Sequence, residues 1–241
     1  MRKQPMEHSA TFRFHGSLND FLRPAQKATE ILYSFGGLPA VKDAIEAIGI
    51  PHPEVGALTI NHHPAAIMAP LGHHDQVDVF PFPAAGIPGA PRSFVLDVHL
   101  GKLARLLRLL GFDTAYENGY HDKEIADIAA AQDRIVLTRD VGLLKHKSIR
   151  WGYWLRSQFG EEQLKEVIVH FGLEGAFQPF HRCIACNGLI EAVDKDLIKE
   201  KIPADTDRYF HEFYHCTSCG RVYWKGSHYE KMEAFLKRFI V

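Results

Sequence analysis

Residues 134–140 read RIVLTRD, in which Ile135, Val136 and Leu137 are followed by Thr138, Arg139 and Asp140. So short an apolar run, with no polar residue alternating inside it, has the character of a strand buried on both faces. Residues 93–97, SFVLD, repeat the pattern and close on Asp97. Amphipathic segments lie between and after them. LGKLARLLRLLG (100–111) sets Leu100, Leu103, Leu106, Leu107 and Leu110 on one stripe and Lys102, Arg105 and Arg108 on the other, with Gly111 as the stop. HDKEIADIAAAQ (121–132) predicts a second helix, with Asp122 as its N-cap and Ile125, Ile128 and Ala129 facing inward. DTAY (113–116) and RWGYWLRS (150–157) are further strands, and EEQLKEVIVHFG (161–172) is a helix with Leu164, Val167, Ile168 and Phe171 in register. Strands alternating with such helices predict an α/β domain with a mainly parallel sheet.

Upstream, VFPFPAAGIPGAPRS (79–93) is rich in proline and glycine and predicts an extended, semi-rigid boundary. Before it, ATFRFHG (10–16), ATEILYSFG (28–36), ALTINHHPA (57–65) and QVDVFPF (76–82) predict strands. LPAVKDAIEAIG (38–49) predicts a helix with Val41, Ala44, Ile45 and Ile48 on one face and Gly49 at its end. This order of elements resembles the α+β β-grasp, or ubiquitin-like, fold. The expected domains are 1–84 (β-grasp), 85–92 (linker), 93–178 (α/β) and 179–241 (a cysteine-bearing module).

The chain has 241 residues, 46% hydrophobic and 24% charged, with a net charge of −1. That charge excludes coating of nucleic acid by bulk attraction, so any such binding has to come from local patches. No apolar run approaches the ~18 residues of a membrane span. MRKQPMEHSA at the N-terminus is followed by no apolar secretory segment, so a cytoplasmic, membrane-free protein is expected.

In an open parallel sheet, ligands sit beyond the carboxyl ends of the strands. Asp97 and Asp140 close two strands, and Asp122 and Glu124 open the helix between them, so three or four carboxylates are expected at one edge. For each acid alone, a cap or turn is the simpler reading. Together they repel unless a cation is present. Mg²⁺ or Mn²⁺, which prefer oxygen ligands and retain water, suit such a set and the orientation of water against a phosphodiester.

All four cysteines fall in two CxxC pairs, Cys183/Cys186 and Cys216/Cys219. Two residues between thiolates let both sulfurs reach one tetrahedral Zn²⁺, and Gly188 and Gly220 ease the turns. The two pairs enclose 29 residues, more than a zinc ribbon usually has, and DKDLIKEK (194–201) fills the excess as a short helix stopped by Pro203. A disulfide does not suit a cytosolic protein, and a redox role would need one pair. Near the second pair, Arg221, Trp224, Lys225 and His228 are candidate RNA contacts, with aromatics to stack on bases and cations to follow phosphates. Packing of the small ribbon is the plainer role for Trp224. Lys102 and Arg105 are candidate phosphate contacts beside the acidic edge, although a solvated face also accounts for them. The pairs His62–His63 and His73–His74 read as loop histidines, since adjacent strand residues point to opposite faces.

FVLDVHLGKLARLLRLLGFDT, HDKEIADIA and RIVLTRDVGLL, with QLKEV, RCIACNG and FYHCTSCGRVYWKGSHY, resemble the Mut-seven C-terminal ribonuclease family, a PIN-like nuclease group with a zinc ribbon. The resemblance spans nearly all of residues 93–241, and the N-terminal part resembles the ubiquitin-like domain sometimes fused to that family. It implies a PIN-like sheet and a metal-dependent ribonuclease using Mg²⁺ or Mn²⁺ at Asp97, Glu124 and Asp140, with Asp122 as a substitute for Glu124. It also implies structural zinc at the four cysteines and a β-grasp domain contacting protein, RNA or the ribosome. PIN domains often carry a fourth acid after the last strand, and VGLLKHK (141–147) has none. That departure keeps a second class open, a non-catalytic RNA- or ribosome-binding adaptor. A toxin-like nuclease restrained by a partner is a third.

Overall fold

The computed structural model describes residues 8–83 and 86–239. Its first unit contains β1 (His8–Phe14), β2 (Glu30–Phe35), α1 (Val41–Ile48), β3 (Val55–Ile60), β4 (His63–Pro64) and β5 (Gln76–Pro81). The strands form one sheet in the order β2-β1-β5-β3-β4. β1 and β5 are parallel and the other pairs antiparallel. Alternation along β1 buries Ala10, Phe12 and Phe14, and these pack with Val41, Ala44 and Ile45 of α1. The β-grasp order expected from sequence is the one observed.

The second unit holds β6 (Ser93–Leu96), α2 (Gly101–Leu109), β7 (Asp113–Ala115), α3 (Asp122–Gln132), β8 (Ile135–Thr138), α4 (Val141–Leu144), β9 (Gly152–Trp154) and α5 (Gly160–Phe171). All its strand pairs are parallel, in the order β7-β6-β8-β9. The strands read as continuous apolar runs because both faces are covered. Phe94, Leu96, Ile135 and Leu137 pack on α2 and α5, while Val95 and Val136 pack on α3 and α4. Residues of RWGYWLRS outside Gly152–Trp154 are not strand.

A third unit follows, with β10 (Ile190–Val193), α6 (Ala204–Tyr209), β11 (Phe213–Cys216), β12 (Val222–Trp224) and α7 (Ser227–Leu236). Its antiparallel sheet runs β10-β11-β12. α7 returns to the second unit, where Leu236 joins the α2–α5 core. DKDLIKEK departs from the single helix expected. It makes two 3₁₀ turns, Lys195–Leu197 and Lys199–Lys201, because its apolar residues Leu197 and Ile198 are adjacent and do not form a helical stripe. Among the described residues, no helix is long and apolar enough to cross a membrane.

The parallel sheet has two open edges, and each is closed by a flanking unit. At β9 the outward N–H of Trp154 donates to Glu54 Oε1 (2.6 Å) of the β-grasp unit. Glu54 is 2% exposed and is paired with Arg156 at 3.3 Å. His52 Nε2 lies 2.7 Å from the Ile149 carbonyl, Lys145 Nζ donates to the Glu46 carbonyl (2.8 Å), and Phe21 packs on Trp154. Unpaired edges invite association, so a carboxylate seated on the edge N–H both satisfies and blocks it. Replacing Glu54 with Ala leaves Arg156 without its buried counter-charge and Trp154 N–H without an acceptor. Breaking a buried pair costs ~3–5 kcal/mol. A lowered urea midpoint with unchanged zinc content is therefore expected, and an unshifted midpoint would show that Glu54 does not hold the two units together.

Candidate active site and metal centre

The register between β6 and β8 pairs Leu96 with Leu137, so Asp97 falls beside Thr138. The Thr138 hydroxyl donates to Asp97 Oδ2 (2.8 Å) and accepts the Asp140 N–H (2.8 Å). One fully buried hydroxyl thereby couples the two strand-end acids. Asp97 is buried, with one carboxylate oxygen held by Thr138. Asp140 is exposed and caps α4, accepting the Gly142 N–H at Oδ1 (2.7 Å). Asp140 thus serves as a cap, and it shares Thr138 with Asp97 through its main-chain N–H while its carboxylate faces Gly142.

Asp122 and Glu124 are exposed on the first turn of α3, where the helix N-terminus favours anions. Asp122 is not the N-cap expected from sequence. His121 takes that position, and Glu124 Oε2 accepts the His121 N–H (2.8 Å), the return half of a capping box. Asp122 is therefore already the first helical residue. Among the described residues, only the four cysteines bring three or more ligand atoms within 4.8 Å of one another. The structure joins Asp97 to Asp140 and leaves Asp122 and Glu124 outside so tight a group. The histidine pairs form no such group either.

The four sulfurs form a compact set. Cys183 and Cys219 are 3.8 Å apart, and Cys186 and Cys216 are 3.4 Å apart. Four thiolates at ~2.3 Å from a tetrahedral zinc lie ~3.8 Å from each other, so the donor set fits that ion. Both separations far exceed a disulfide bond of ~2.05 Å. A side chain at Gly188 would collide with Ser218 and with Cys216 Sγ, and Gly220 has φ +69°, so both knuckles need their glycines. Burial by itself would raise the Cys183 thiol, but Tyr223, whose hydroxyl is 2.9 Å away, and backbone N–H groups bring it down to about 7. Burial, reinforced by the neighbouring thiols, pushes Cys186 up to about 12. A cation is what lets all four ionise together.

Arg108 corrects the expected charged stripe of α2. It is buried, with Nε donating to the Thr114 carbonyl (3.0 Å) and Nη1 to the Ala185 carbonyl (2.9 Å) inside the first CxxC. Asn187 completes the junction, since its Oδ1 accepts the edge N–H of Thr114 (2.9 Å) and its Nδ2 donates to Asp113 (2.8 Å). The first CxxC turn thus closes the β7 edge as Glu54 closes the β9 edge. Hydrogen bonds to a charged donor contribute ~1.5–3 kcal/mol each. Arg108→Met is expected to lower stability by at least ~2 kcal/mol and to speed zinc transfer to a chelator. Wild-type transfer kinetics would mean that the junction does not brace the knuckle.

The six RNA candidates separate. Trp224 and Lys225 line a cavity of about 510 Å³ between the ribbon and the α/β unit, while Arg221 and His228 are exposed and do not line it. Lys102 and Arg105 are exposed on α2, with the stem of Lys102 against Gly160. Sequence reasoning missed Arg108, Asn187 and Glu54. The one available signal was the asparagine directly after the first CxxC, a position suited to a left-handed turn, where Asn187 has φ +71°.

A family model described as the Mut7-C RNAse domain matches residues 92–236, and one described as Mut7-C ubiquitin matches residues 7–86. No curated protein and no solved structure matches the chain.

Proposed function

The chain belongs to the Mut7-C RNAse family, and on that premise we propose that it is a metal-dependent ribonuclease cutting RNA phosphodiesters at the carboxyl edge of its parallel sheet. The observation that carries the reading is the Asp97–Thr138–Asp140 linkage, which brings two acids to the edge where open α/β sheets bind ligands. Asp97 and Asp140, with Glu124 from α3, are the residues that would hold Mg²⁺ or Mn²⁺. The cation's contribution when bound is to activate water and neutralise charge on the phosphoryl oxygens. Thr138 orients Asp97 by donating to one of its oxygens, and Gly142 orients Asp140 in the same way. The zinc knuckle and the β-grasp unit brace the two edges of the sheet, and we read the β-grasp unit also as the contact for a protein or RNA partner.

A non-catalytic RNA-binding adaptor is the second reading, because Asp140 and Glu124 both serve helix ends and the acids are not drawn into a tight group. Incubation of end-labelled single-stranded RNA with Mn²⁺ separates the two. Cleavage that the Asp97 and Asp140 variants lose supports the ribonuclease. No cleavage by wild type, with RNA still bound, supports the adaptor.

A further inference from the structure

We propose that the cavity between the ribbon and the α/β unit holds an unstacked base of single-stranded RNA, as an anchor set apart from the acidic edge. The proposal rests on RNA being the substrate and adds where the strand is gripped. Phe180, Arg182, Tyr214, Trp224, Lys225 and Tyr229 are among its walls, and among the described residues no carboxylate lines it. Its volume of about 510 Å³ is within the range of small-ligand pockets. Phe180 and Tyr229 already lie near-parallel at 4.5 Å, so an entering base extends an existing stack. Bases of any identity stack on such faces, which is the usual means of gripping single strands without reading sequence.

The charge matches a polyanion. Lys225 stands at the mouth, and its ion pair with Glu212 is between exposed groups, so a phosphate can replace that partner at little cost. Arg182 also lines the cavity, with its guanidinium held by Asp113 (3.4 Å) and by the Asn187 carbonyl (2.9 Å). A duplex presents no free base and is excluded. Stacked aromatic faces beside an exposed cation suit an unpaired base next to its own phosphate, which a peptide side chain does not supply together.

The cavity touches Leu109 at the C-terminal end of α2, whereas Asp97 precedes the other end of that helix. Nine residues of helix separate the ends by ~14 Å. At ~3.4 Å per stacked nucleotide, about four nucleotides bridge the two sites. Oligomers shorter than this cannot occupy both.

The test uses zinc-loaded full-length protein and fluorescein-labelled ten-nucleotide single-stranded RNA, with no added Mg²⁺ or Mn²⁺, so binding is read without cleavage. Tyr229→Leu, which keeps apolar bulk, and Lys225→Glu, at an exposed position, should each weaken binding about tenfold, in line with ~1–3 kcal/mol per stacked base. Zinc content and unfolding midpoint should stay at wild-type values, and a duplex of equal length should bind far more weakly. Wild-type affinity in both variants overturns the anchor, whether or not the protein cleaves RNA. If the variants lose binding but no preparation cleaves in Mn²⁺, the anchor stands and the ribonuclease reading fails. Equal cleavage of dinucleotide and ten-nucleotide RNA by wild type and Tyr229→Leu leaves the ribonuclease and removes the anchor.

Discussion

Asp97→Asn is expected to lower cleavage of single-stranded RNA in Mn²⁺ by ~10²–10³-fold, the usual cost of removing one charge-stabilising group from an active site. The variant isolates charge from shape. Its amide oxygen still accepts from the Thr138 hydroxyl, which keeps Asp140 N–H on its other side, so the buried junction survives. Asp140→Asn is conservative in the same sense, because asparagine caps helices as well as aspartate does. Its loss of activity therefore reports on the carboxylate and not on α4. Thr138→Val keeps the strand and removes the orienting hydroxyl, with a smaller loss of rate expected and the unfolding midpoint lowered. The measurement is initial cleavage rate beside zinc content and thermal midpoint for each variant. If wild type and Asp97→Asn cut at equal rates, the activity belongs to a contaminant and the acidic edge is not a catalytic site.

Removal of zinc is expected to have the largest structural effect. Structural zinc supplies ~10–16 kcal/mol of apparent binding free energy in small modules, comparable to a whole domain's typical stability of ~5–15 kcal/mol. The ribbon's own core is slight, built on Ile198, Ile202 and Phe213. Cys216→Ser or a strong chelator should therefore melt residues 183–224. The damage should spread to the β7 edge, because Ala185 and Asn187 then release Arg108 and Thr114, while α7 keeps its contact with the α2–α5 core through Leu236. The β-grasp unit has a separate core around Phe12, Phe14 and Ile45 and should keep its protected amides. Because the thiols must give up protons to bind, metal loss should grow as pH falls. Metal analysis should give about one zinc per chain. A value near zero in protein whose ribbon amides remain protected would sink the assignment.

Much of this was legible along the chain. Amphipathic period, glycine stops and apolar strands place most of the elements of the α/β unit, since those signals depend on neighbours within one or two turns. Two residues between cysteines suffice to define a chelating turn. The stripe on α2 shows the limit of such reasoning. Steps of three residues drift by ~60° around a helix, so Arg108 sits ~120° round from Lys102 and reaches the protein side. Its partner carbonyl, Ala185, is 77 residues away in sequence.

Asp122 shows the same limit at shorter range, since a histidine before it serves as the cap and the capping-box glutamate binds back to that position. Glu54 lies in a segment with no motif, and only the approach of β9, 100 residues later, makes it an edge cap. Spacing within a segment was enough to place most of the elements, the paired thiolates and the acids that end strands. Contacts between distant segments were needed to couple Asp97 to the Asp140 N–H through one threonine, to seal both sheet edges with neighbouring units, and to enclose a cavity with aromatics and cations. Those features arise where distant segments meet, and no local period encodes which segments those will be.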